Sequence, residues 1–212
     1  MAAGRPTTRF ERAVLAEGRG RIAGIDEVGR GCLAGAVVAA AVIFPESILL
    51  RRPPRLRAVR DSKIVPAAER ERLRDAIHRY ALAIGVGVMP CELIDAIGIG
   101  PATRLAMEAA VDDLAVPPDH LLIDAVKLRA LEIPQTSIID GDYLCFSIAA
   151  ASIVAKTVRD QMMRDAELEY PGYSFAEHKG YATPVHRAAL AQLGPSPLHR
   201  RSFGTVRQLV AT

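Results

Sequence analysis

The chain has 212 residues, half of them hydrophobic, so it can bury the core of a single domain spanning residues 1–212. It contains no apolar run long enough to cross a membrane, and charges interrupt the N-terminal residues where a signal peptide needs an apolar segment, which predicts a cytoplasmic protein with no membrane partner. The net charge of +3 permits a polyanionic partner without requiring one, and three widely spaced cysteines argue against a disulfide framework and a zinc site.

The first half of the chain predicts a β-hairpin, a helix and a third strand. An apolar run after residue 21, a glycine-rich turn and the run AVVAAAVIF are typical of two paired strands. The stretch RRPPRLRAVR, residues 51–60, is interpreted as a solvated loop. A helix is predicted from Pro66 to about Gly85, with Leu73 and Ile77 at helical spacing, and the alternation that begins at Ile84 predicts a strand.

The second half predicts helices that alternate with two short buried strands. Helical material fills residues 91–114, and HLLIDAV and TSIID are typical of buried strands. A long helix is predicted over residues 143–169, and a last helix begins at TPVHRAALAQLG with Thr183 as its N-cap. Strands alternate with helices after an initial meander, so the sequence predicts an α/β protein with a mixed sheet.

Five acidic residues stand where predicted strands end, although carboxylates usually lie on solvated faces. They are Asp26 and Glu27 after the first strand, Asp124 in LLIDAV, and Asp140 and Asp142 after TSII. Strand ends of an open α/β sheet are where ligands bind, so we expect these side chains to meet. For any one of them the alternative is an ordinary loop, cap or turn residue. Spacing alone does not choose between Asp140 and Asp142.

Such a group of acids predicts a metal site. Packed carboxylates raise one another's pKa values unless a divalent cation neutralises them, and oxygen ligands without His or Cys favour Mg²⁺ or Mn²⁺. Two such ions about 4 Å apart can activate water and stabilise the leaving oxygen of a phosphoryl displacement. The acids therefore predict phosphodiester hydrolysis.

The segment Gly29-Arg30-Gly31 suits a turn whose backbone approaches a ligand closely, with the arginine near a phosphate. The longer run GRGCLAG is also similar to half of a dinucleotide fingerprint, which leaves a dinucleotide-dependent oxidoreductase as one alternative. That fingerprint needs its third glycine one residue earlier and a following helix. A non-catalytic nucleic-acid binding module is the second alternative, although it has no reason to place acids facing a polyanion.

Seven ordered motifs between about Arg21 and Phe203 resemble bacterial ribonuclease HII. They are GIDEVGRGCLAGAVVAAAVI, DSK, LIDA, GD, AAASIVAKTVRD, HKGYATPVH and SPLHRRSF. The resemblance implies the RNase H-like fold, an α/β architecture in which helices flank a five-stranded mixed sheet. It places a catalytic core in about residues 20–170 and a C-terminal helical part, which contributes to substrate binding, in about residues 171–212.

The resemblance also implies an endonuclease that hydrolyses the RNA strand of RNA/DNA hybrids and cuts 5′ of ribonucleotides embedded in duplex DNA. The cut leaves 3′-hydroxyl and 5′-phosphate ends. The implied cofactors are two Mg²⁺ or Mn²⁺ ions, the implied partners are these nucleic acids, and the chain is expected to act as a monomer without an obligate protein partner. Type 1 ribonuclease H, which shares the fold but needs a longer ribonucleotide run, is the alternative within this enzyme class.

Matching the family's motifs to this sequence assigns functional roles to individual residues. The resemblance makes Asp26, Glu27, Asp124 and Asp142 the catalytic and metal-binding acids, with Asp26 bridging the metals. It makes the backbone of Gly29, Arg30 and Gly31 the reader of the ribose 2′-hydroxyl, Tyr181 the residue that packs on the following deoxyribose, and Ser62 and Lys63 the pair near the phosphate backbone.

Other polar residues are interpreted as structural or left open. His178, His186 and His199 are taken as cap, surface or packing residues. Lys156 and Asp160 lie four residues apart on the predicted long helix and can pair, and Lys156 could instead point toward the acids. Arg200 and Arg201 either contact the nucleic-acid backbone or form a solvated pair. The family's third acidic motif usually reads DG, and Ala125 in its place is tolerated unless that position needs a positive φ.

Overall fold

The computed structural model describes residues 5–210, so the ends of the predicted domain, residues 1–4 and 211–212, lie outside the described residues. A five-stranded sheet forms its centre, in the order β3-β2-β1-β4-β5. The strands are β1 (Ile22–Val28), β2 (Val37–Ile43), β3 (Ala83–Met89), β4 (His120–Asp124) and β5 (Gln135–Ile138). Antiparallel pairing joins β1, β2 and β3, whereas β4 is parallel to β1 and β5 is parallel to β4. The predicted α/β class and mixed sheet are confirmed.

Helices cover both faces of the sheet. Within residues 5–210 the α-helices are α1 (Arg9–Ala16), α2 (Glu46–Leu50), α3 (Ala67–Tyr80), α4 (Cys91–Ile97), α5 (Ile99–Asp112), α6 (Gly141–Leu144), α7 (Phe146–Glu169), α8 (Phe175–His178), α9 (Pro184–Leu193) and α10 (Gly204–Val210), and Pro54–Leu56 form a short 3-10 helix. α7 and α3 pack on one face and α5 packs on the other. Among these described helices, none is long and apolar enough to cross a membrane.

Small residues let the helices approach the sheet closely. The central strand β2, VVAAAVI, is buried along its whole length because helices cover both of its faces. A Cβ atom at Gly85 or Gly87 of β3 would lie 2.1 Å or 2.0 Å from a backbone carbonyl oxygen of α5. These glycines therefore set the distance between α5 and the sheet.

The predicted helices are found with shifted ends. The helix after Pro66 ends at Tyr80, and Gly85 lies inside β3 instead of at the helix end. The predicted helical stretch of residues 91–114 divides at Gly98, whose φ of +84° interrupts it. Thr183 is the N-cap of α9 as predicted, because its hydroxyl accepts the His186 N–H at 3.2 Å. The predicted long helix corresponds to α7, preceded by the separate short helix α6.

One prediction about a loop was wrong, and two terminal helices were not located in the sequence. Residues 51–60 are not simply a solvated loop, because Leu56 and Val59 are fully buried and join the core beneath α3. The helix α1 was not predicted, and α10 lies in the predicted C-terminal helical part but was not located in the sequence. Each is a short helix of seven or eight residues, and helices of this length depend on tertiary packing more than on a local sequence pattern.

Ala125 occupies a position that does need a positive φ. Its φ is +52°, directly after Asp124 at the end of β4, and its N–H donates to the carbonyl of Ile138 at 3.0 Å. The left-handed conformation costs an alanine about 1 kcal/mol relative to glycine. Alanine in place of the family's glycine is therefore not free of cost at this position, and the turn after Asp124 carries backbone strain.

Candidate active site

Three parallel strands deliver acids to one edge of the sheet. Asp26 and Glu27 lie near the C-terminal end of β1, and Asp124 ends the parallel neighbour β4. Carboxylate oxygens of these three residues all lie within 4.8 Å of one another. After β5, Asp142 in α6 is buried and interacts electrostatically with Asp26 and Asp124, whereas Asp140 is the exposed residue at the start of α6. The structure therefore brings the four predicted acids together and leaves Asp140 at the surface.

Burial dominates the electrostatics of this acidic cluster. Asp26 is only 4% exposed, and burial, followed by the nearby charges of Glu27, Asp124 and Asp142, raises its pKa well above the usual value. Burial is also the main cause of the raised pKa values of the other three acids. The Lys63 ammonium, 3.4 Å from Asp142, offsets part of this effect. Buried negative charge in excess of nearby positive charge suits a divalent cation.

Backbone hydrogen bonds hold two of the carboxylates in place. An oxygen of Asp26 accepts the N–H of Glu27 at 2.7 Å, and an oxygen of Asp124 accepts the N–H of Gly141 at 2.7 Å. The second bond ties the end of β4 to the start of α6. A Cβ at Gly141 would lie 2.7 Å from the Ile148 side chain and 3.1 Å from the Asp124 carboxylate. A side chain at this position of the GD motif would therefore displace the Ile148 methyl group and press on the Asp124 carboxylate.

The Gly-Arg-Gly loop follows β1 and borders the acidic cluster. Gly29 is buried with a φ of +95°, and a Cβ there would lie 2.2 Å from Nε of Arg159. Arg30 and Gly31 are exposed, and a Cβ on Gly31 would meet nothing within 4 Å. The Arg30 guanidinium lies 3.3 Å from the Glu27 carboxylate. The loop thus presents open backbone next to the acids.

Tyr181 lies beside this loop. Its ring is 38% exposed, and the preceding carbonyl of Gly180 accepts the N–H of Leu33 at 2.8 Å, which joins the tyrosine segment to the residues after the Gly-Arg-Gly loop. The Lys156 ammonium lies 5.8 Å from the centre of the tyrosine ring. The Gly-Arg-Gly loop and the HKGYATPVH motif, which are far apart in sequence, therefore border the same surface beside the acidic cluster.

Lys156 and Asp160 do pair, but in a buried network. The Lys156 ammonium contacts the Asp160 carboxylate, and Arg70 of α3 donates to its other oxygen at 2.7 Å. Arg70 also donates to the backbone carbonyls of Ser62 and Val65 at 3.2 Å and 3.0 Å. Sequence reasoning missed Arg70, because nothing in its spacing distinguishes it from the solvated arginines around it. The network fixes the segment that carries Lys63.

Ser62 and Lys63 have different environments. The Ser62 hydroxyl is buried and shares a hydrogen bond of 2.8 Å with the hydroxyl of Ser152. The side chain of Lys63 is 71% exposed and reaches Asp142. A side-chain contact between Ser62 and a phosphate is therefore not available in this arrangement, and of the predicted pair only Lys63 presents its head group near the acids.

The three histidines are packing residues that meet in one buried cluster. The rings of His178 and His186 stack with centroids 4.2 Å apart, and Nε2 of His186 lies 3.1 Å from Nε2 of His199. Burial lowers the pKa of His199 to about 4, so it is neutral at physiological pH. None of them belongs to the acidic cluster. Their clustering was not predicted, because sequence spacing gives no sign of it.

The two C-terminal arginines also differ from expectation. Arg200 is fully buried and bonds to backbone carbonyls, so the prediction that it contacts nucleic acid or solvent was wrong. Arg201 is exposed, and its backbone N–H donates to Asp95 at 2.8 Å. The three cysteines are buried free thiols, as predicted.

Comparison with known proteins gives one family. The profile described as Ribonuclease HII matches residues 23–206. The Ribonuclease HII of Chloroflexus aggregans is 53% identical over 205 residues, which cover 97% of this chain and 96% of that protein. Among solved structures, the ribonuclease H2 from Pyrococcus horikoshii OT3 has a TM-score of 0.76 at 23% identity, and the match covers 90% of this chain and 97% of that one.

Two further solved structures share the fold and were determined with a partner or a metal. The PCNA:RNase HII complex from Archaeoglobus fulgidus matches with a TM-score of 0.69 at 25% identity, over 85% of this chain and 93% of that one. Bst-RNase HIII in complex with Mn²⁺ matches with a TM-score of 0.70 at 20% identity, over 94% of this chain and 72% of that one. The predicted RNase H-like fold is confirmed. The chain therefore belongs to the ribonuclease HII family, metal-dependent enzymes that cleave the RNA of RNA/DNA hybrids and cut at ribonucleotides in DNA.

Proposed function

We propose that this enzyme cuts on the 5′ side of ribonucleotides in duplex DNA and in RNA/DNA hybrids, leaving 3′-hydroxyl and 5′-phosphate ends. The buried acidic cluster carries this proposal, because Asp26, Glu27 and Asp124 place carboxylate oxygens within 4.8 Å of one another. A non-catalytic nucleic-acid binding module would not place buried acids next to a polyanion, and a dinucleotide-dependent oxidoreductase does not need such a cluster. The family assignment is also evidence against both alternatives.

The four acids suit two Mg²⁺ or Mn²⁺ ions. Asp26, Glu27, Asp124 and Asp142 would hold them, with Asp26 shared, since it interacts with all three other acids. The donor set contains only oxygen, which favours these hard cations, and the solved Bst-RNase HIII complex contains Mn²⁺. When bound, such ions activate a water molecule and stabilise the leaving oxygen of the phosphodiester.

The remaining site residues orient the nucleic acid. We infer that the exposed Lys63 ammonium contacts a backbone phosphate beside the cleaved bond. The backbone of the loop Gly29-Arg30-Gly31, which is exposed at Arg30 and Gly31, would bind the 2′-hydroxyl, which distinguishes RNA from DNA. The exposed ring of Tyr181 would pack on the next deoxyribose, so that a junction between ribonucleotide and deoxyribonucleotide is recognised from both sides.

The proposal extends to organisation and location. We propose one domain with a catalytic core of about residues 20–170 and a C-terminal part, about residues 171–212, that contributes to substrate binding. Contacts between Gly180 and Leu33 beside the Gly-Arg-Gly loop support this role. The Archaeoglobus fulgidus relative was solved with PCNA, but we propose that this chain acts as a monomer without an obligate protein partner. Since its substrates are RNA/DNA hybrids and DNA that contains ribonucleotides, it would act in the bacterial cytoplasm.

The test is a mapped cleavage assay. Duplex DNA with one ribonucleotide and an end label is incubated with the protein in MgCl₂, in MnCl₂ and in EDTA. We expect a single cut 5′ of the ribonucleotide that needs a divalent metal, and the same polarity on an RNA/DNA hybrid. A cut 3′ of the ribonucleotide, or cleavage that continues in EDTA, would contradict the proposal. Cleavage of the RNA/DNA hybrid without cleavage of the single-ribonucleotide duplex would indicate the specificity of type 1 ribonuclease H.

A further inference from the structure

Arg200 is a buried cation whose hydrogen bonds, among the described residues, all go to backbone carbonyls, and its guanidinium also lies 5.2 Å from the centre of the Phe203 ring. Its guanidinium donates to the carbonyls of Gly29 at 2.7 Å and Arg30 at 2.9 Å, and twice to that of Gly35, at 3.0 Å and 2.8 Å. Within residues 5–210 no carboxylate forms an ion pair with it, and burial lowers its pKa to about 10. A buried charge without a counter-ion is costly, so the carbonyl contacts must compensate for the lost hydration.

These contacts determine which way two peptide groups face. In a planar trans peptide the C=O and the N–H point in opposite directions. Because the carbonyl of Gly29 points inward to Arg200, the N–H of Arg30 in the same peptide points outward. The carbonyl of Arg30 likewise leaves the N–H of Gly31 outward. Both residues are exposed, and across the described part of the chain neither N–H donates a hydrogen bond.

The segment around Arg200 is itself held in place. The N–H of Arg200 donates to the carbonyl of Leu33 at 2.9 Å, and the N–H of Gly35 donates to the carbonyl of Leu198 at 2.9 Å. On the other side, Asp95 accepts the N–H groups of Arg201 and Ser202 at 2.8 Å and 2.9 Å. Arg200 is therefore a fixed support for the Gly-Arg-Gly loop and has no freedom to follow it.

We propose that Arg200 is a positioning residue for ribose recognition: it holds the Gly29–Arg30 and Arg30–Gly31 peptides so that two N–H donors face the substrate. The inference rests on the proposed function and deepens it. Selectivity for the 2′-hydroxyl then depends on a side chain that lies behind the loop and touches no substrate. A mobile loop would have to order these donors on binding, and the arginine removes that cost in advance.

The first test is the variant Arg200→Lys, measured by equilibrium binding in Ca²⁺. Lysine keeps the charge but cannot place separate donors on the carbonyls of Gly29 and Arg30. We expect the preference for single-ribonucleotide duplex over all-DNA duplex, expressed as a ratio of Kd values, to fall at least tenfold. Affinity for all-DNA duplex and for Mn²⁺ alone should stay within about twofold, since neither ligand has a 2′-hydroxyl to accept from the two N–H donors.

Arg159→Lys is the matched control. Arg159 is the other fully buried arginine, and it bonds to the carbonyls of Ala34, Ala36 and Lys179 but to neither carbonyl of the two positioned peptides. Its Nε packs behind Gly29, so Arg159→Lys loosens the packing behind the loop without removing either of the two carbonyl contacts. An unchanged Kd ratio in Arg200→Lys, or an equal loss of the ratio in both variants, would overturn the proposal.

A second measurement needs no variant and covers the case in which Arg200→Lys fails to fold. In the wild-type protein, amide hydrogen exchange at Arg30 and Gly31 should be fast when free and slow with a single-ribonucleotide duplex in Ca²⁺. With the all-DNA duplex it should remain fast. Equal exchange with both duplexes would overturn the proposal. Failure of the proposed function would be seen separately, as a wild-type protein that does not cut a ribonucleotide-containing duplex with metal.

Discussion

Replacing Asp26 by asparagine should stabilise the metal-free protein and abolish its activity. The Asp26 carboxylate is buried within 4.8 Å of the carboxylates of Glu27 and Asp124, and among the described residues no basic side chain forms an ion pair with it. Asparagine has nearly the same size, and its amide oxygen can still accept the N–H of Glu27. The substitution therefore removes a repelling charge while the packing and the backbone hydrogen bond remain.

The size of the effect follows from the geometry. Two unit charges 4.8 Å apart repel by about 3.5 kcal/mol at an effective dielectric constant of about 20. Because burial raises the pKa of Asp26, partial protonation already relieves some of this repulsion. We expect a gain of about 1 to 2 kcal/mol in the free energy of unfolding, which corresponds to about 2 to 8 °C in Tm for a chain of this size.

The assay is thermal melting in EDTA and in MnCl₂, with cleavage measured in parallel. In EDTA the variant should melt above the wild type. At a metal concentration of about 100 Kd the wild type should gain about 2.7 kcal/mol while the variant gains much less, so the order of the two Tm values should reverse. A variant that melts at or below the wild type in EDTA, or that gains equally from Mn²⁺, would refute the reasoning.

Four further outcomes are expected. Asp142→Asn should lower kcat at least a hundredfold with little loss of hybrid binding. The kcat of Asp140→Asn, which changes the exposed neighbour, should stay within about twofold of the wild-type value, and equal activity of the two variants would contradict the metal assignment. Tyr181→Ala should lose cleavage mainly on single-ribonucleotide DNA, and equal losses on that substrate and on long hybrids would be evidence against recognition of the junction. Ala125→Gly should raise the free energy of unfolding by about 0.5 to 1 kcal/mol in urea titrations, because it relieves the positive φ at this position, and a destabilised variant would show that the strain is absent. In EDTA, the stability advantage of Asp26→Asn should grow as the pH rises above about 4, where the unfolded aspartate ionises, and should level off above the raised folded-state pKa. Between these two pKa values the folded wild type keeps a proton that its unfolded chain releases, so the wild type loses stability while the variant does not; an advantage that is constant with pH would count against the raised pKa.

The acids could be predicted because strand ends are visible in sequence. Asp26, Glu27 and Asp124 follow apolar runs, and parallel strands end at one edge of a sheet, so their meeting required only the correct sheet order. The choice of Asp142 over Asp140 needed a family motif. Burial distinguishes the two residues only in the folded chain, where α6 turns one inward and leaves the other at its exposed start.

Arg200 and the histidine cluster could not be predicted from the sequence. A basic residue in the run LHRRSF is normally interpreted as solvated, and only tertiary contact with carbonyls some 165 to 171 positions earlier reveals its burial. His186 and His199 lie 13 positions apart, with no repeat to suggest that their rings meet. Local sequence patterns predicted the strands and the centres of the helices. They could not predict the burial or the partners of a side chain whose neighbours come from distant parts of the sequence.

The position of Arg200 near the end of the chain has a consequence for biosynthesis. A ribosome completes every acidic ligand candidate well before it reaches residue 200, so a nascent chain holds the acids before it holds the arginine that supports the Gly-Arg-Gly loop. The residues that would hold the metals are thus synthesised before the residue that we propose orients the ribose-recognising peptides.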